Sequence, residues 1–97
     1  MKNYVNIAVQ VLPMSKTKEP YDIVDEAIKV IDESGLKYRV CPFETVIEGP
    51  YDEIMKVIEK VQTTCFNNGA DELIVNIKIQ IRKSSNVTID DKMHKYD

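Results

Sequence analysis

The chain is poor in the residues on which most enzyme chemistry rests: one histidine, two cysteines, three glycines and no tryptophan. A Ser or Cys nucleophile needs a nearby base, and the lone His94 lies in a polar C-terminal stretch, where it reads as a bystander. The glycines, at 35, 49 and 69, are scattered and match neither a phosphate-cradling loop nor a dinucleotide fingerprint, so no nucleotide cofactor is expected. Cys41 and Cys65 form no C-x-x-C pair and have no histidine cluster to complete a metal site. They read as buried, reduced structural thiols. Apolar runs are short, and MKNYVNIAVQ lacks a signal-peptide core, which predicts a cytoplasmic protein with no membrane segment. Without a secretory signal the Asn86-Val87-Thr88 glycosylation pattern carries no weight.

Basic residues are also in deficit. Thirteen Lys and Arg face sixteen Asp and Glu, a net charge near -3, which disfavours a phosphate-backbone partner. The last long apolar-alternating stretch contains no aromatic on which an RNA base could stack. What remains, with 97 residues, 43% hydrophobic and 30% charged, is one ordinary globular domain over residues 1–97.

Periodicity divides that domain into six elements. Residues 4–12 alternate, with Val5, Ile7, Val9 and Val11 on one side, and Pro13 is expected to end this strand. Pro20 suits a first helical position, Ile23, Val24, Ala27, Ile28 and Ile31 make an apolar stripe, and Gly35 provides the stop. Residues 37–41 and 45–49 are short strands around Pro42-Phe43-Glu44, either a hairpin or one bent strand. A second helix runs from Tyr51 through Ile54, Met55, Ile58, Val61 and Cys65 to Asn67-Asn68-Gly69. Residues 72–83 alternate again. Residues 84–97 form a polar tail, mobile as chain ends often are, in which Thr88 and Asp91 signal a short helix.

Strand, helix, strand, strand, helix, strand is the order of an α+β, ferredoxin-like βαββαβ sandwich, a four-stranded antiparallel sheet with two helices on one face. PYD begins both helical segments, at Pro20 and Pro50. Val5, Ile7, Val9, Val11, Val75, Ile77, Ile79 and Ile81 supply the helix-facing side. The other side, with Asn6, Ala8, Gln10, Ile74, Asn76, Lys78, Gln80 and Arg82, suits either solvent or a second subunit.

Most carboxylates sit in helix first turns, where the dipole explains Asp22, Asp25, Glu26, Asp52 and Glu53. Glu48 does not. It ends a strand in FETVIEGPYDE, at a joint made by Gly49 and Pro50, with the Thr45 hydroxyl three residues back. FETVIEG, together with SGLKYRVCP, VLPMS and NIKIQIRKS, resembles the YkoF-like family of small thiamine- or hydroxymethylpyrimidine-binding proteins over most of residues 4–83. The chain departs from the family pattern at Glu44, where a glycine often stands, and at the less acidic Gln80-Ile81-Arg82.

The resemblance implies non-catalytic binding of thiamine or its pyrimidine portion, and assembly through sheet faces or edges into a homodimer or homotetramer. For such a ligand Glu48 would accept from the exocyclic amine, Thr45 would bond a ring nitrogen, and Phe43 would flank the ring. Ser15 in the first loop, with the amides Asn6 and Asn76 on adjacent strands, completes the candidate set. The other reading is a small-molecule-sensing or protein-interaction module with a different ligand.

Overall fold

The computed structural model describes residues 3–97. The elements are β1 (Tyr4–Met14), α1 (Pro20–Glu33), β2 (Lys37–Val40), β3 (Thr45–Pro50), α2 (Tyr51–Asn67), β4 (Glu72–Gln80) and the short α3 (Ile89–Met93). The strands form one antiparallel sheet in the order β2-β3-β1-β4, with α1 and α2 packed on one face. This is the ferredoxin-like fold. Residues 37–50 are a hairpin rather than one bent strand, closed by the Cys41 N–H donating to the Glu44 carbonyl.

Alternation decides which side chains are buried. Val5, Ile7 and Val9 of β1 and Ile47 of β3 meet Ile23, Ala27 and Ile31 of α1 and Ile54, Ile58, Val61 and Cys65 of α2. Burial also pushes the Cys65 thiol pKa up. Gly49 lies inside β3, not at a turn. A Cβ there would lie 3.3 Å from Leu36 Cδ2, a tight contact that the leucine would have to yield to, so close packing favours glycine. The two PYD segments differ in register, because Pro20 is the first residue of α1 whereas Pro50 precedes α2 as its cap.

Three expectations fail for physical reasons. Pro13 does not end β1, which continues to Met14 paired with β4. β3 pairs with β1 only as far as Val9, so the flank toward which Pro13 would send its missing N–H has no strand to satisfy. On β4, Ile77 and Ile79 share the helix-facing side yet remain 37% and 43% exposed, and Ile81, just past the strand's end, is 44% exposed, because the helices do not cover the outer half of this edge strand. Finally, residues 84–97 are docked rather than loose. Val87 and Ile89 are buried, the Arg39 guanidinium makes two hydrogen bonds to Asp97 (2.8 and 3.0 Å), and Thr88 caps α3 by accepting from the Asp91 N–H. The tail crosses the sheet on the side opposite α1 and α2.

Candidate functional site

The structure separates Thr45 from Glu48. In a strand, positions three apart point to opposite faces. Ile47 faces the helices, so Thr45 does too and Glu48 does not. The two residues expected to anchor one ligand therefore lie on opposite faces of the sheet.

On the tail side, Glu48 is 7% exposed and its Oε1 accepts from the Ile89 N–H at 2.6 Å, at the start of α3. Asn6 is its neighbour across β1 and β3. With its amide nitrogen turned to the main-chain carbonyls, Asn6 donates to the Val87 carbonyl (3.0 Å) and its oxygen accepts from Lys92 Nζ (2.9 Å). Lys92 also donates to Gln80 Oε1 (2.8 Å). Glu48 and Asn6 thus hold the tail, a role hidden in the sequence because their partners lie at its far end.

Ser15 and Asn76 are elsewhere. Ser15 Oγ donates to the Gly69 carbonyl (2.7 Å) and accepts from the Thr17 and Lys18 N–H groups, which builds the loop before α1. Asn76 donates to Gln10 Oε1 on the exposed part of the tail side.

On the helix side a cavity of about 130 Å³ lies where β3 begins. Val9, Ala27, Ile28, Ile31 and Val61 form apolar walls, and the β2–β3 connection, from Cys41 to Glu44, closes one flank. Thr45 lines it. This residue is 7% exposed, and its hydroxyl makes no hydrogen bond to any described residue. No sealed side-chain polar atom lacks a partner among the described residues, so the hydroxyl is not sealed and opens to the cavity. Phe43, at the tip of the connection, is 81% exposed and lies at the cavity's edge. Cys41 lines the same space and is only partly buried, contrary to its expected place in the core.

The Glu44 carboxylate turns to the other face and pairs with Lys78 Nζ of β4 at 3.2 Å. The displaced titrations of hydrogen-bonded side chains lie away from the cavity. The hydrogen bond to Asp32 raises Tyr38, and the hydrogen bonds to Asp97 raise Arg39. Among the described residues no group of His, Cys, Asp and Glu is placed to hold a metal ion, and no helix is long and apolar enough to cross a membrane. The cavity can take a flat apolar ring and offer it a hydroxyl.

Comparison with known proteins agrees with this architecture. The UPF0045 protein CPE1503 of Clostridium perfringens is 36% identical over 91 residues, covering 94% of this chain and 95% of that protein. A Bacillus cereus structure described as a domain of unknown function, DUF77, superposes with a TM-score of 0.94 at 42% identity, over 98% of this chain and 91% of that one. A Thermotoga maritima structure, provisionally named a thiamine biosynthesis or salvage protein, superposes with a TM-score of 0.87 at 26% identity, over 97% and 99%. The family model described as thiamine-binding protein matches residues 7–97, and the chain belongs to this thiamine-binding family.

Proposed function

We propose that the protein binds thiamine or its hydroxymethylpyrimidine portion, without catalysis, in the cavity beside Thr45. The carrying observation is the Thr45 hydroxyl, nearly buried and unpaired among the described residues, beside an apolar space of ring size. Aliphatic cavities of roughly 150 Å³ accept a benzene ring. The bare pyrimidine ring is of similar size and would add ring nitrogens for the hydroxyl to meet, with its substituents extending through the open side of the cavity. Phe43, at the edge, would then face whatever extends from the ring, and an aromatic face suits the cationic thiazolium of intact thiamine. Glu48 and Asn6 support the site's sheet from behind, through the tail, rather than touching the ligand.

Calorimetry with thiamine and with hydroxymethylpyrimidine tests this reading. Thr45→Val keeps the shape and removes one hydrogen bond, so it is expected to weaken binding about 3- to 10-fold. Absence of heat and of any melting shift with either compound would overturn the proposal.

The family reading also implies assembly, and β4 supports it. Its helix-facing isoleucines lie uncovered on a strand that, among the described residues, has no strand on its outer flank, a surface that isolated proteins usually blunt. Ile79→Lys is expected to shift the protein toward monomer in sedimentation velocity while leaving its circular dichroism intact. A monomeric wild-type protein at tens of micromolar would contradict the assembly.

A further inference from the structure

The direction of the main chain in β1 can be read from its ends. Tyr4 donates its N–H to Asn86 Oδ1 (2.8 Å), and its carbonyl accepts from the Val87 N–H (2.9 Å). Pro50 occupies the β3 side at that point, so these bonds leave on the β4 side. At the other end the Met14 carbonyl accepts from the Asp71 N–H, just before β4. In an antiparallel sheet, successive residues send their N–H and C=O groups to alternate sides. Even-numbered residues of β1 therefore face β4, and odd-numbered ones face β3.

The hairpin gives the same answer independently. The Cys41 N–H donates to the Glu44 carbonyl, so even-numbered residues of β3 face β2. Thr45, Ile47 and Gly49 then face Val9, Ile7 and Val5, as the register requires. The next member of the series is Val11. Its counterpart would be Phe43, which has left the sheet and is exposed. Among the described residues no hydrogen bond reaches Val11 from the 41–44 connection. Its N–H and C=O point into a gap, and that gap is the cavity lined by Val9, Val11 and Thr45.

A main-chain donor and acceptor without a partner among the described residues, on a partly buried residue beside an apolar space, are free to pair with a ligand. We propose that Val11 is the recognition edge of the cavity, taking a planar heterocycle that carries an acceptor ring nitrogen next to an amino group. The ring nitrogen accepts from the Val11 N–H and the amine donates to the Val11 carbonyl, as the missing strand residue would. Thr45 bonds a second position on the ring. This inference rests on the pyrimidine reading above and deepens it by naming the ligand edge that is read.

The experiment uses the full chain, amide hydrogen exchange, and two probes: hydroxymethylpyrimidine and the same compound with its amine dimethylated. In the free protein the Val11 amide is expected to exchange much faster than those of Val9 and Gln10, which lie in the ladders. Hydroxymethylpyrimidine should slow Val11 at least about tenfold, and the dimethylated compound should bind about tenfold or more weakly. A free-protein Val11 as protected as Val9 would overturn the inference. Equal binding of both probes would also overturn it, while leaving the cavity reading intact. Binding of neither would overturn both.

Discussion

Glu48→Ala is expected to destabilise the protein by about 2–3 kcal/mol, the range for a buried hydrogen bond to a charged group. The carboxylate makes a short bond to the Ile89 N–H where α3 starts, and both residues are buried. Alanine leaves that N–H unpaired and undermines the docking of Val87 and Ile89 on the sheet. For a domain of this size the melting temperature should fall on the order of 10–20 °C. Amide protection should be lost over residues 87–93 before the rest of the chain. Glu48→Gln retains an acceptor oxygen and should cost roughly half as much. Melting curves and exchange for the two variants decide the matter. An alanine variant with wild-type stability and a protected tail would show that Glu48 does not anchor the segment.

Ile47→Ala should cost more, about 3–5 kcal/mol, a large share of the 5–15 kcal/mol that typically separates folded from unfolded domains. Ile47 has no exposed surface, stands directly opposite the equally buried Ile7, and has Tyr38 on its other flank. Truncation therefore removes apolar burial and leaves a hole that β1 and β2 cannot both close. Ile79→Ala is the matched control. It makes the same chemical change on the same side of the same sheet, but at a position with 43% exposure, and should cost under about 1 kcal/mol in the monomer. Urea unfolding of dilute samples measures the two. Similar costs for both would mean that the core does not extend across the sheet as described.

The sequence carried the elements well because each satisfies a local rule. Alternation marks β1 and β4, the apolar stripes mark α1 and α2, and Gly35 and Gly69 adopt the positive φ values that end those helices (77° and 109°). What it concealed depends on partners distant in the chain. Pro13 reads as a terminator only if both flanks of β1 are assumed to be paired. Ile77, Ile79 and Ile81 read as core only if the helices are assumed to reach them. Glu48 lacks a local role because its partner is 41 positions away, in a segment whose polar composition gives little sign of docking. One clue was nevertheless present in FETVIEG: with Ile47 inward, Thr45 and Glu48 had to lie on opposite faces. Thr45 remained by the cavity and Glu48 was left to the tail.

The sheet order also has a consequence for the time at which the fold can form. The longest ladder joins β1 to β4, and each of its paired residues lies more than half the chain from its partner. The β2–β3 hairpin and the two helices can organise from nearby residues, but the central strand waits for β4 before its second flank is closed. Contacts so distant in sequence slow folding. During synthesis, a chain that has emerged only as far as the end of α2 presents β1 with its even-numbered amides and carbonyls open along a full flank, the form in which strands join other strands. Arrival of β4 closes that flank of β1, and the tail then docks over Glu48 and Asn6 on the far face, so the final quarter of the chain governs when β1 is withdrawn from misassociation.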